Sequence, residues 1–100
     1  MDALQVVSEP RRREILRLVW DDELSAGEIA ARFPVTFGAV SQHLGVLRDA
    51  GFVSVRRAGQ QRFYRTNRER LGALAGVLEA MWADRLDRLA DSVETDRSPR

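Results

Sequence analysis

The chain has 100 residues, a formal net charge of +1, no cysteine and one histidine, His43. A chain of this size makes one domain with one modest core. The composition excludes disulfides, thiol nucleophiles and thiolate metal sites, and leaves any zinc site three ligands short.

No apolar run nears the roughly 18 residues of a membrane span, and MDALQVVSEP lacks the basic-then-apolar pattern of a signal peptide. A cytoplasmic location is the expectation. The small net charge conceals a division of the chain: residues 1–31 carry −3, residues 32–70 carry +6 and residues 71–100 carry −2. Every cation is arginine, whose fork suits phosphate, although a total absence of lysine points first to genome composition.

In chain order, Pro10 suits a first helical turn, and Ile15, Leu16, Leu18 and Val19 give that helix an apolar face through Trp20. Asp21, Asp22 and Glu23 form an acidic connection. In LSAGEIAARF, Ser25 and Glu28 stand at capping-box spacing, with Leu24 and Ile29 at the staple positions. Pro34 is expected to end that helix after Phe33. Thr36 is the next N-cap, and the helix it opens, 36–49, carries Phe37, Val40, Leu44 and Leu47 on one stripe. Gly51 closes it. Two short helices joined by about three residues make a helix-turn-helix.

Phe52, Val53, Val55, Phe63 and Tyr64 are strand formers around an Ala58-Gly59-Gln60 turn. A hairpin over 52–66 attached to a helix-turn-helix is a wing, here rich in arginine. From the N-cap Asn67 to Glu94, Leu71, Leu74, Leu78, Trp82, Leu86, Leu89 and Val93 recur at helical spacing. An uninterrupted helix there is about 40 Å long, against a compact domain roughly 34 Å across. It overhangs, so a second copy of the chain is expected to cover Trp82, Leu86 and Leu89. Gly72 and Gly76 are expected where that copy's helix comes close. The fold class is mainly α with a β-hairpin wing. Residues 1–94 form one winged helix-turn-helix domain with a long C-terminal dimerisation helix (67–94), and 95–100 form a flexible tail.

At 100° per residue, Phe37, Val40, Leu44 and Leu47 of the 36–49 helix face inward. Gly38, Gln42, Gly45 and Asp49 lie opposite, with Ser41 and His43 on the flanks. This outer face is small, nearly uncharged and rich in hydrogen-bonding groups, so it suits a groove better than bulk water. A glutamine amide can bridge adenine N6 and N7 in the major groove, and serine serves several base edges. The wing residues Arg56, Arg57, Gln60, Gln61 and Arg62 suit phosphates or a narrow minor groove. His43 lacks partners for catalysis or metal binding. A hydrogen-bonded structural role and a phosphate or base-edge contact both fit it. Nothing in the chain pairs acid and base groups or forms a phosphate loop, so no enzymatic activity is expected.

The run EIAARFPVTFGAVSQHLGVLRDAGFVSVRRAGQQRFYRT resembles the ArsR/SmtB family of bacterial winged-helix repressors, through A-V-S-x-H-L followed by LxxAGxVxxRRxGxxxxYR. The resemblance spans nearly the whole chain. It implies a homodimeric, sequence-specific transcriptional repressor in the nucleoid, packed through its first and last helices. Each recognition helix would lie in the major groove of a palindromic operator in double-stranded DNA. The family's DNA contacts carry onto Thr36, Phe37, Gly38, Ser41 and Gln42, with His43 at the family's usual histidine; Phe37 and Gly38 depart from the polar residues often found there. The periodicity favours Phe37 turning inward. The dimer contacts carry onto Leu4, Leu74, Leu78, Trp82, Leu86 and Leu89.

Metal-responsive members place cysteines where this chain has Ser25 and Gly27, or use Asp and His ligands in the last helix, where it has Asp84, Asp87 and Asp91 but no histidine. No metal or cofactor is therefore expected, and any small-molecule effector is of another kind. The alternative reading is a winged-helix module that binds protein rather than a specific DNA sequence.

Overall fold

Asp2 and Glu9 each open a helix at the N-terminus of the computed structural model, which describes residues 1–96, with side chains as far as Asp84. Asp2 accepts from the Gln5 amide at 2.8 Å while the Gln5 side chain accepts from the Asp2 amide at 3.0 Å, a capping box that starts α1 (Ala3–Ser8). This short helix is absent from the sequence reading. Glu9 caps α2 (Pro10–Leu18), with Pro10 in its first turn. The basic run after Pro10 has a local purpose. Arg12 donates to the carbonyls of Gln5 and Val6, and Arg13 to those of Val7 and Ser8. The two guanidinium groups thus satisfy the orphan acceptors at the end of α1.

Leu24–Ser25 forms a short strand, β1, before Ser25 caps α3 (Ala26–Ala30) through the expected box with Glu28. α3 ends earlier than Phe33. The Arg32 and Phe33 amides bond three residues back to Ile29 and Ala30, tightening the last turn where Pro34 forbids its continuation. The Thr36 hydroxyl accepts from the Ala39 amide at 3.1 Å and opens α4 (Phe37–Asp49). Gly51, at φ +80°, closes it. That left-handed φ favours glycine, and an added Cβ would also sit 3.1 Å from Arg70 Nε, which would have to give way slightly.

β2 (Val53–Ala58) and β3 (Gln61–Thr66) form the hairpin, and β1 pairs with the far edge of β3, giving the antiparallel order β1-β3-β2. Ala58 pairs with Gln61, so the turn is Gly59-Gln60 rather than three residues. Gly59 supplies the positive φ at its first position. Thr66 locks the sheet to α2: its amide and hydroxyl donate to the carbonyls of Val19 at 2.9 Å and Leu16 at 3.0 Å.

The C-terminal helix differs from the uninterrupted 67–94 span. Asn67 caps a single turn, α5 (Arg68–Leu71). Gly72 then breaks the chain at φ +58°, ψ −128°, before α6 (Ala73–Asp96). The backbone conformation at this break by itself calls for glycine at position 72. The tail expected at 95–100 begins inside α6, and its residues 97–100 lie outside the described residues.

One core joins α1, α2, α3, α4, the sheet and the start of α6, built on Ile15, Leu16, Val19, Ile29, Val40, Leu44 and Leu47. Leu78 belongs to it and is 2% exposed, so it has no surface to offer a second copy. Leu74 is partly buried against the same core. Trp82 is also covered from within: its ring meets Trp20 edge-on, centroids 4.8 Å apart. The face of α6 left open instead carries Val77 and Met81, with Gly76 and Ala80 beside them. Leu4 on α1 is 69% exposed. Leu86 and Leu89 lie outside the described side chains.

Candidate nucleic-acid interface

The inner stripe of α4 holds Val40, Leu44 and Leu47 in the core. That packing fixes the roll of the helix and leaves Gly38, Ser41 and Gln42 exposed on its outer side. None of the three carries a charge, and among the described residues neither the Ser41 nor the Gln42 side chain has a hydrogen-bond partner. Thr36 stands at the helix start, with its hydroxyl oxygen accepting the cap bond. Phe37 reverses the inward expectation. It lies one residue after the cap, outside the core stripe, and is 57% exposed.

His43 is half-buried on the flank of α4, with Nδ1 3.7 Å from Glu9 Oε2. Glu9 also caps α2, so this contact links the outer helix to the α1–α2 junction. His43 thus faces a carboxylate within the chain and does not stand free on the outer face.

The hairpin register sorts the arginines, because residues directly opposite in an antiparallel pair share a face. Arg57 is opposite Arg62, which places two like charges side by side. Neither makes an ion pair among the described residues. Such a pair is unfavourable alone and favourable with an anion between its members. Gln60 and Gln61, also exposed, stand beside them at the tip.

Arg56 is placed otherwise. It is opposite Phe63 and stacks 4.8 Å from that ring's centroid. Its guanidinium forks onto Glu23, with Nη2 2.7 Å and Nε 3.1 Å from Oε1. Glu23 comes from the connection before β1, so the pair spans the three-stranded sheet and braces the wing. Arg56, expected from the sequence to suit phosphate or a narrow minor groove, is engaged within the chain by Glu23 and Phe63. Sequence separation hid this partner, because only the β1–β3 pairing brings Glu23 to the hairpin.

The hydrogen bonds from Arg56, helped by its charge and that of Arg65, hold the Glu23 carboxyl below the ordinary glutamate range. In a carbon-13 NMR titration Glu23 is expected to titrate below the ordinary glutamate range, and Arg56→Ala to move it back toward that range. The folded value is the depressed one. Whatever the pair contributes to stability is therefore present above the ordinary glutamate range and lost as pH falls through the lowered value. An unchanged titration in Arg56→Ala would show that the brace does not form in solution.

Between α3, the first turns of α4 and strand β3 lies a cleft of about 350 Å³. Ala26, Phe37, Ser41, Gln61, Arg62 and Tyr64 contribute to its walls. Arg62 and Tyr64 are two apart on β3 and so share a face. Among the described residues no three of His, Asp and Glu gather as metal ligands, and no helix is long and apolar enough to cross a membrane. Asp87 and Asp91 lie outside the described side chains.

Comparison with known proteins agrees with this architecture. Residues 9–55 match the family model for bacterial regulatory proteins of the arsR family. An HTH-type transcriptional regulator of Mycobacterium tuberculosis is 35% identical over 94% of this chain and 88% of its own length. The transcriptional activator HlyU of Vibrio cholerae is 34% identical over 79% of this chain and 73% of its own. The transcriptional repressor SdpR of Bacillus subtilis is 35% identical over 66% and 73%. Among solved structures, a possible transcriptional regulator for arsenical resistance superposes with a TM-score of 0.70 at 39% identity, covering 92% of this chain and 96% of that one. A homodimeric winged helix-turn-helix DNA-binding domain from Mycobacterium bovis superposes with a TM-score of 0.68 at 25% identity, covering 80% and 74%.

Proposed function

This chain belongs to the arsR family of bacterial regulatory proteins, and from that premise we propose that it is a homodimeric repressor that reads a palindromic operator and occludes a promoter. One observation carries the reading. An unpaired Arg57–Arg62 couple stands at the wing tip, beside a recognition helix whose outer face is polar, small and uncharged. The couple meets phosphates, and Ser41 and Gln42 meet base edges. Thr36, Gly38 and the α4 dipole sit at the phosphate-facing end of the helix. The exposed Phe37 ring is placed to touch a thymine methyl. Gln60 and Gln61 accompany the wing arginines, and His43 serves by steadying α4 against Glu9. The work takes place in the cytoplasm, on the nucleoid, and needs no metal.

A second copy completes the molecule through the exposed Leu4 on α1 and Val77 and Met81 on α6. The solved homodimeric DNA-binding domain of the same fold supports a dimer, and the name of the relative SdpR supports repression.

Two substitutions test the docking. Gln42→Ala is expected to cost about 1–3 kcal/mol at one half-site base pair and relax specificity there. Arg57→Ala is expected to weaken binding to every sequence and flatten the salt slope by about one. Gel shifts on the selected operator and its single-base variants read both effects. The reverse assignment, with Gln42 acting uniformly and Arg57 acting on one base, would overturn the docking.

A further inference from the structure

We propose that Arg56 is a latent phosphate contact, held by Glu23 in the free protein and passed to the DNA backbone when the wing docks, so that Glu23 sets how tightly the wing grips DNA of any sequence; this rests on the function proposed above.

The geometry of the pair suits exchange. Glu23 receives the guanidinium as a fork, with Nη2 and Nε at 2.7 Å and 3.1 Å from Oε1. An arginine makes the same forked contact with a phosphate. A carboxylate of the chain thus stands where a phosphate oxygen would stand. The contact is open to water, since the Arg56 side chain is 57% exposed. An exposed ion pair gains little over what its partners find in solvent, so a stronger anion displaces it. Duplex DNA is such an anion, with one negative charge per about 1.7 Å of its axis. Nor does the departure strand Glu23. Arg65, two residues from Phe63 and so on the same face of β3, already acts on that carboxylate through its charge.

The strand register puts Arg56 where a second backbone passes. Neighbours on a strand point to opposite faces. Arg57 and Arg62 share the face that carries the buried Tyr64, while Arg56 and Phe63 share the outer one. A hairpin set tip-first against a groove has a phosphate strand on either side. The Arg57–Arg62 couple serves one strand and Arg56 the other. Among the described residues the couple makes no ion pair. The wing therefore holds two kinds of arginine: two that are available at once, and one that DNA must first take from Glu23.

Glu23→Gln tests the exchange, because it keeps the size of the side chain and removes the competing charge. In gel shifts on the operator and on random duplex, the variant is expected to bind both more tightly by the same factor. That factor is about threefold for each copy of the chain, and so about tenfold for a dimer. In an Arg56→Ala background at 0.15 M salt no pair remains to be broken, and screening leaves a gain of about twofold or less. In carbon-13 NMR of the wild type, added duplex is expected to move the Glu23 carboxyl signal toward its position in Arg56→Ala. Weaker binding by Glu23→Gln would show that the pair braces the docked wing, and would overturn the exchange. An equal gain in both backgrounds, which is bare charge repulsion, would overturn it too, as would a Glu23 signal that DNA leaves in place. A wild type that binds no duplex removes the proposed function and the exchange together. A wild type that binds, with Glu23→Gln binding no tighter, removes the exchange alone.

Discussion

Val77→Asp combined with Met81→Asp is expected to yield a folded monomer that binds a palindromic operator about 10²–10⁴-fold more weakly than the wild type. Both side chains are large, apolar and open, at 54% and 45% exposure, so neither contributes much to the chain's own core. They lie four apart on α6, on one face of the helix. Gly76 has nothing within 4 Å of where a Cβ would stand, which leaves room for a second backbone to approach. A charge on each copy at the centre of such a contact meets its like across a two-fold axis, unpaired and desolvated. The proposed DNA contacts are untouched, so each monomer is expected still to recognise one half-site. What is lost is the second, effectively intramolecular, binding event. Sedimentation at several concentrations reads the assembly, and gel shifts on full and half operators read the affinity. A dimer that survives both carboxylates would remove this face of α6 from the interface.

Leu78→Ala is expected to act on the other quantity, lowering unfolding free energy by about 2–5 kcal/mol. Leu78 is fully enclosed by the core that joins the helices to the sheet. Truncation therefore loses the transfer energy of the removed groups and leaves a cavity that rigid neighbours refill only in part. For a domain whose whole stability is about 5–15 kcal/mol, that loss is large. Urea unfolding at equal protein concentration measures it. The two variants separate roles that the same leucine-rich pattern merged: Leu78 holds the domain together, and Val77 with Met81 is the face proposed for the second copy. A Leu78→Ala protein of unchanged stability would contradict the burial.

That merging shows where a one-dimensional reading stops. The recurrence of Leu71, Leu74, Leu78 and Trp82 is visible in the sequence, and Leu74, Leu78 and Trp82 do form one stripe on α6, with Leu71 on the separate turn before Gly72. Which body covers the stripe is not visible. The covering groups come from far away in sequence, Trp20 for Trp82 above all. The same holds at the wing. Alternating strand formers announce the hairpin, but whether an arginine is free or engaged depends on Glu23, 33 residues earlier and brought near by β1. Phe37 fails for a local reason. Its spacing places it on the apolar stripe, but the first turn after a cap projects beyond the core it would need to reach.

Local chemistry by itself determined the helix-turn-helix, since a capping hydroxyl, a staple, a proline and a C-terminal glycine act over a few residues and need no distant partner. It also determined the polar outer face of α4, because helical periodicity alone puts Ser41 and Gln42 opposite the core. Only the tertiary structure decided the burial of Leu78, the capture of Arg56 and the solitary pairing of Arg57 with Arg62. Each of these depends on contacts or register between segments far apart in the chain, and the free energy of such contacts is absent until the chain has closed upon itself.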